Sequence, residues 1–346
     1  MKALLATILL LGSSTGAQAQ VGGLVEADIL HRETIDDPAA AVGEVDDGWF
    51  AFRYPAVEGT TTPCCWPGGW AGRWNSSMTA GCNLEGPHQS FGTASDAGIE
   101  TTIMAYARVR DGAVTRLRVA GARCPMEAGG QSVTWIDETS TTETLDWLET
   151  LARQGDEDRV GQPALRALAL HADPAATRRL VSLALEAGND RSEEAVFWLG
   201  EARGQQGFEA LASLLDELPV GELRRQVNIA LGMNESPAAR DLLASIAAAD
   251  RDPDQRAEAL FWLANAYPDS ALQPILDAIR EDRDPNVAGQ AVFALSQLPE
   301  DVAGPSLLAL ARDSSLPREA RRQALFWLAH EGDEESLAQL VELLVH

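Results

Sequence analysis

Four cysteines, Cys64, Cys65, Cys82 and Cys124, and three tryptophans, Trp66, Trp70 and Trp74, are the side chains of this 346-residue chain best suited to metal, redox or stacking chemistry. The Cys doublet and all three Trp fall in one stretch, TPCCWPGGWAGRWN, residues 62–75. Zinc would need a tetrahedral set with short Cys-x-x-Cys spacings. Three of the cysteines with His88 supply donor atoms but not that spacing. Copper at Cys124 and Met126 lacks the neighbouring His of a blue-copper loop. A reactive thiol needs its pKa lowered by a helix start or a base, and Pro-Cys-Cys-Trp beside a glycine run offers neither clearly. Disulfides suit the set better. Cys64 and Cys65 cannot bridge each other near the usual ~5.5–6 Å Cα separation. One of the doublet therefore goes to Cys82 and the other to Cys124, in either of two pairings. Redox or metal chemistry at the same four cysteines is the alternative. Pro67, Gly68, Gly69 and Gly72 exclude a single helical stripe for the tryptophans. They plug a sheet edge, or form a platform for a sugar or peptide.

The elements that must hold these residues are strands. DGWFAFRYPAV (47–57) reads as a strand ending at Pro55, and QSVTWIDE (131–138) as another. ETTIMAYARVRDGAVTRLRVAGARC (100–124) is a hairpin turning at Asp111-Gly112, with Leu117 and Val119 inward and Arg116 and Arg118 toward water. The prediction is a small antiparallel sheet, short of large apolar residues and in need of staples.

From about Glu143 the period changes. EEAVFWLG (193–200), RQVNIALG (225–232), AEALFWLA (257–264), GQAVFALS (289–296) and RQALFWLA (322–329) stack on Leu199, Leu231, Leu263, Leu295 and Leu328, 32 or 33 residues apart, with Leu168 upstream. Asp252-Pro253 and Asp284-Pro285 mark helix starts, Asp as cap and Pro where no N–H is needed. Ser140 or Thr142 caps the first helix. Each unit is a helix–turn–helix that cannot bury its apolar face alone, so units must stack. Trp198, Trp262 and Trp327 are expected in the repeat core beside those leucines, because Ala195, Trp198 and Leu199 share one helix face.

This pattern resembles HEAT-type repeats of the short, phycobilisome-lyase-like variety. The resemblance implies a right-handed α-solenoid of helix pairs over residues 143–346, with a partner on a concave face formed by the second helices. The whole chain is similar to exported bacterial proteins that join such repeats to a Cys-containing front domain. The stacked pairs also resemble deoxyhypusine hydroxylase, but that enzyme's metal site needs several His-Glu pairs, and only His330-Glu331 has that form here.

Residues 1–19 read as a signal peptide, with Lys2, an apolar run to Leu11 and Ala17-Gln18-Ala19. Residues 20–142 are then a disulfide-stapled β-rich domain, periplasmic or secreted. The apolar run is short of the ~20 residues a bilayer-spanning helix needs. Lys and Arg number 27 against 52 Asp and Glu, a net charge of −25. Such a surface repels nucleic acid and favours a basic protein or peptide. With Lys2 the only lysine, no phosphate-binding loop or Schiff-base chemistry is possible in the mature chain. Neither H-E-x-x-H nor G-x-G-x-x-G occurs. The expected protein has no cofactor and no catalytic site, and works as a protein- or peptide-binding scaffold.

Overall fold

The computed structural model describes residues 23–25, 27–32, 35–61, 82–86, 98–186, 190–219 and 221–331. The front part runs β1 (Leu24–Val25), β2 (Asp28–Arg32), α1 (Pro38–Glu44), β3 (Asp47–Pro55), β4 (Cys82–Asn83), β5 (Thr102–Arg110), β6 (Ala113–Gly121), β7 (Met126–Glu127) and β8 (Ser132–Ile136). Asp111 and Gly112 both take positive φ, 53° and 71°, which a two-residue turn between twisted strands demands. They join β5 and β6 as expected.

The main sheet has the order β2-β8-β3-β5-β6. It is mixed: β3, β5 and β6 pair antiparallel, while β2–β8 and β3–β8 are parallel. The expectation of an antiparallel sheet therefore holds for one half only. The last strand re-enters on the far side of β3, a non-local choice that hairpin patterns do not encode. A second small sheet, β1-β7-β4, lies over one face.

Both faces of the main sheet are covered, which is why its strands read as near-continuous apolar runs. Phe50, Phe52, Tyr54, Ile103, Ala105 and Ala107 face the helices. Trp49, Ala51, Met104, Tyr106, Val133 and Trp135 face the layer carrying Cys82, Cys124 and Met126. Arg118 does not face water. It is buried and donates to the Leu84 and Gly86 carbonyls, and half-buried Arg116 reaches the same carbonyls. The alternation that put both arginines outside assumed one wet face.

The helical part begins with α2 (Thr141–Gln154), capped by Ser140, whose side chain accepts from Glu143 N–H. A π-helical turn, Glu157–Gly161, follows α2. Then come α3 (Gln162–Leu170) and α4 (Ala175–Ala184), α5 (Asp190–Ala202) and α6 (Gly204–Glu217), α7 (Glu222–Met233) and α8 (Pro237–Ala249). The stack continues through α9 (Pro253–Ala266) and α10 (Pro268–Glu281), α11 (Pro285–Ser296) and α12 (Glu300–Arg312), and α13 (Arg318–Glu331). Asp252 and Asp284 cap α9 and α11 through Asp254 N–H and Asn286 N–H, at 3.1 and 2.8 Å. Leu168, Leu199, Leu231, Leu263, Leu295 and Leu328 are each 0% exposed, in one core that runs from the sheet to α13. Each contributes about 1.5–3 kcal/mol of burial.

Consecutive first helices, α5, α7, α9, α11 and α13, pack directly on one another, whereas the second helices α4, α6, α8 and α10 touch their neighbours sparingly. A stack tight in one layer and splayed in the other curves toward the tight layer. The first helices therefore line the inner surface, not the second helices as expected. Small residues are the reason. A Cβ on Gly200 of α5 would sit 2.3 Å from the Ala230 carbonyl oxygen of α7. A Cβ on Gly232 would sit 2.8 Å from the Trp262 ring.

Polar contacts fasten the end of β3 to the solenoid. Tyr54 Oη donates to the Ala167 carbonyl at 3.2 Å, and its ring stacks on His171 at 5.0 Å. Buried Arg203 donates to the carbonyls of Ala169, His171 and Asp173. His171 Nδ1 accepts from Asp173 N–H at 3.1 Å. Burial pushes His171 down to about 4 from 6.5; the Asp173 carboxylate opposes this and Arg203 adds to it.

Two measurements check this packing. Gly200→Ala should cost about 1–3 kcal/mol in urea unfolding, whereas Gly43→Ala, where a Cβ meets nothing within 4 Å, should cost little. Equal effects would contradict the close approach. The unfolded chain binds a proton at His171 below pH 6.5 that the folded chain refuses until about pH 4. Stability should therefore fall as pH drops through that window, by up to ~3 kcal/mol from this group. His171→Asn should flatten the fall; an unchanged pH profile would refute the assignment.

Candidate functional site

Each first helix buries one stripe and turns another away from the core. In α5, Ala195, Val196 and Leu199 are buried, Glu194, Phe197 and Trp198 are half-buried, and Glu201 is exposed. The same outward position on successive first helices is Phe197, Ile229, Phe261, Phe293 and Phe326. All five remain partly in solvent, Phe326 at 59%. An apolar row thus runs along the inner surface. Phe261 stacks on Phe293 with centroids 5.8 Å apart, and Phe293 meets Trp327 at 5.0 Å.

Beside that row stand three nearly identical aromatic rungs. Phe197–Trp198, Phe261–Trp262 and Phe326–Trp327 are edge-to-face pairs, 5.2, 5.4 and 5.1 Å apart, on every second first helix. The indole N–H of Trp198 donates to Glu194 Oε1 at 3.0 Å, and that of Trp262 to Glu258 Oε1 at 3.3 Å. Gln323 takes the corresponding place before Trp327.

Burial holds both carboxyls above the ordinary range, although the indole hydrogen bonds pull the other way. Glu157 raises Glu194 further. Around Glu258, Glu222 and Asp254 raise it while Arg225 lowers it. Glu201, though exposed overall, is also raised, by partial desolvation from its neighbours and then by Glu235. The face is apolar along its centre and anionic beside its first rungs.

The sequence-derived residues are placed as follows. The six leucines meet in the core. Trp198, Trp262 and Trp327 pack against that core without entering it, which corrects their assignment as core residues. The cause is their outward neighbour: a Phe one position earlier points ~100° away on the helix, and the pair straddles the core's edge. Cys82 and Cys124 are 1% and 0% exposed, and both are disulfide-bonded. Met126 is buried with them. Cys64, Cys65, Trp66, Trp70, Trp74 and His88 lie outside the described residues, and so does the pairing expected of the Cys doublet. Next to that layer, Glu85 accepts from Trp49 Nε1 at 3.0 Å and Arg108 Nε at 3.2 Å. His330 stacks on Phe326 at 6.0 Å.

Among the described residues no group of three or more His, Cys, Asp or Glu is arranged to hold a metal. Nor is any described helix long and apolar enough to cross a membrane. A groove of about 1040 Å³ lies between α8 and α10. Three of its charged residues, Asp250, Arg256 and Asp282, are engaged in joining repeats. Asp250 pairs with Arg224 at 2.7 Å, and Asp282 with Arg256 through two 2.8 Å bonds, the same contact one repeat later. Glu194 and Glu258 were missed by the sequence reading. Their signal was Glu-x-x-x-Trp, which occurs at 143–147 and, 64 residues apart on first helices of the repeats, at 194–198 and 258–262.

A family model described as HEAT repeats matches residues 243–325. No curated protein matches the sequence. Among solved structures, the chain is similar to the CpcE–CpcF complex of phycocyanin lyase from Nostoc sp. PCC7120, at 20% identity over 45% of this chain and 99% of that one, with a TM-score of 0.32. It is also similar to the karyopherin Kap121p bound to the SUMO protease Ulp1p, at 13% identity over 59% of this chain, with a TM-score of 0.38. That match spans only 27% of the karyopherin. A designed armadillo repeat protein in complex with the peptide (KR)4 is similar at 19% identity over 54% of this chain and 98% of that one, TM-score 0.29. Residues 243–325 thus match HEAT repeats, and the helical part of this chain as a whole is a solenoid-like stack of helix pairs built on the same buried leucine interval, preceded by a small mixed β-sheet.

Proposed function

We propose that the protein is a non-catalytic scaffold of the cell envelope, holding a protein or peptide against the inner surface of its solenoid. One observation carries this reading: the unbroken outward row Phe197, Ile229, Phe261, Phe293 and Phe326. A row of large apolar side chains left partly in solvent is a natural interaction surface. A curved inner face lets a bound chain touch several repeats at once. The charge of −25 supports a partner that is basic or neutral and disfavours nucleic acid. Export rests on the apolar run and the Ala17-Gln18-Ala19 site in the first nineteen residues. The buried, disulfide-bonded Cys82 and Cys124 fit a staple for the front layer in an oxidising compartment.

Affinity capture from the envelope fraction tests the binding surface. The double variant Phe197→Ser, Phe261→Ser should lose the partners that the native protein retains, with its unfolding midpoint within about 1 kcal/mol of native. Undiminished capture by the variant would remove the inner face from consideration. Cell fractionation with N-terminal sequencing tests the location. The mature chain should begin at Gln20 outside the cytoplasm; an intact Met1 in the cytoplasm would overturn export.

A further inference from the structure

We infer that the rungs on α5 and α9 are a matched pair of receptors for cationic side chains, so that the ligand of the inner face is an extended segment with two Arg or Lys residues roughly five or six positions apart. The inference rests on the inner face being the binding surface.

Each rung presents the same three groups. Glu194, Phe197 and Trp198 form the first; Glu258, Phe261 and Trp262 form the second. In each, the indole N–H fixes one carboxylate oxygen, and among the described residues no hydrogen bond reaches the other. A carboxylate so pinned beside aromatic rings offers a guanidinium or ammonium both a charged hydrogen bond and a ring face. The rungs are half-buried, so such a cation is partly desolvated there and its attraction is less screened than on an open surface.

Charge complementarity selects the occupant. Glu157 acts on the first carboxyl, and Glu222 and Asp254 act on the second. Arg225 offsets part of this at the second rung, where it is ion-paired with Glu222. An acidic or phosphorylated segment is repelled at both places.

The step between the rungs is different in kind. On α7 the corresponding residues are Gln226, Ile229 and Ala230, with no carboxylate and no indole. On α13, Trp327 is accompanied by Gln323, a ring without a charge. The face therefore reads, from α5 onward, as cation, apolar, cation, apolar, neutral. Neighbouring helices lie about 8–10 Å apart, so two steps span ~16–20 Å. An extended chain rises ~3.3 Å per residue, which sets the interval between the two basic residues.

Fluorescently labelled Gly/Ser-based peptides of one length and one net charge test this, each with two Arg separated by two, six or ten positions. Fluorescence anisotropy against the full chain at physiological salt reads the affinity. The six-position peptide should bind at least about 10-fold tighter than the other two, because only it engages both rungs at once. Glu194→Gln and Glu258→Gln keep a hydrogen-bond acceptor for the indole. Each should weaken that peptide by about 5-fold and erase the preference for its spacing. Asp241→Asn, the same charge change on the second helix α8, should leave it unaltered. Equal affinity at all spacings, or an equal effect of Asp241→Asn, would mean attraction by net charge alone and would overturn the inference. Loss of envelope partners in the Phe197, Phe261 double variant with no effect of the two Glu variants would overturn the cation receptors while leaving the binding face in place. Insensitivity to all four substitutions would remove the face itself.

Discussion

Where α5 meets α7 the backbones themselves come close: Gly200 of α5 leaves no room for a Cβ against the Ala230 carbonyl of α7. Dispersion and burial favour close packing wherever side chains permit it. Small residues permit it in the first-helix layer, whereas the second helices touch one another sparingly. The difference bends the stack. It also decides which surface is the inner one, and hence that the Phe row and its Trp–Glu rungs are gathered rather than spread. A fold that used Val or Leu at position 200 would place the same aromatic residues farther apart.

A stack of identical units has a raw end, and the sheet covers it. Phe50 and Phe52 meet Trp147 of α2 at 5.7 Å each, so the first helix of the array buries its outer side against β-strand side chains. At the Tyr54–His171–Arg203 junction, the carbonyls at the end of α3 receive arginine hydrogen bonds. Those carbonyls are among the groups a helix end leaves unsatisfied. A neutral imidazole there avoids placing a second cation beside the Arg203 guanidinium. The sheet is thereby part of one continuous core with the helices.

Much of this was legible in the amino-acid order. The 32-residue leucine interval, the Asp caps of α9 and α11, Ser140 at the start of α2 and the Asp111-Gly112 turn are local signals, and each sits where its chemistry requires. What escaped was non-local. Parallel pairing of β8 with β3 depends on where a distant segment returns, and Arg118 is buried because a second layer covers the sheet. The depth of Trp198 and Trp262 depends on how closely the neighbouring helix stands. The inner layer was likewise assigned wrongly, since curvature follows from contacts between repeats. The Glu residues four positions before Trp were visible as a spacing, but their meaning required knowing that both side chains face outward. The Cys64–Trp74 stretch lies outside the described residues, so its reading stands as an expectation.

The account's central claim is that the first helices form the tight, inner layer. Dipolar distances between spin labels measure this directly. One pair, Glu222→Cys with Asn286→Cys, spans α7 to α11; the other, Ser245→Cys with Ala309→Cys, spans α8 to α12 at the same 64-residue interval. A mean separation clearly shorter for the first-helix pair is the predicted result. Equal separations, or a shorter one for the second-helix pair, would contradict the claim and move the binding face to the other side of the solenoid.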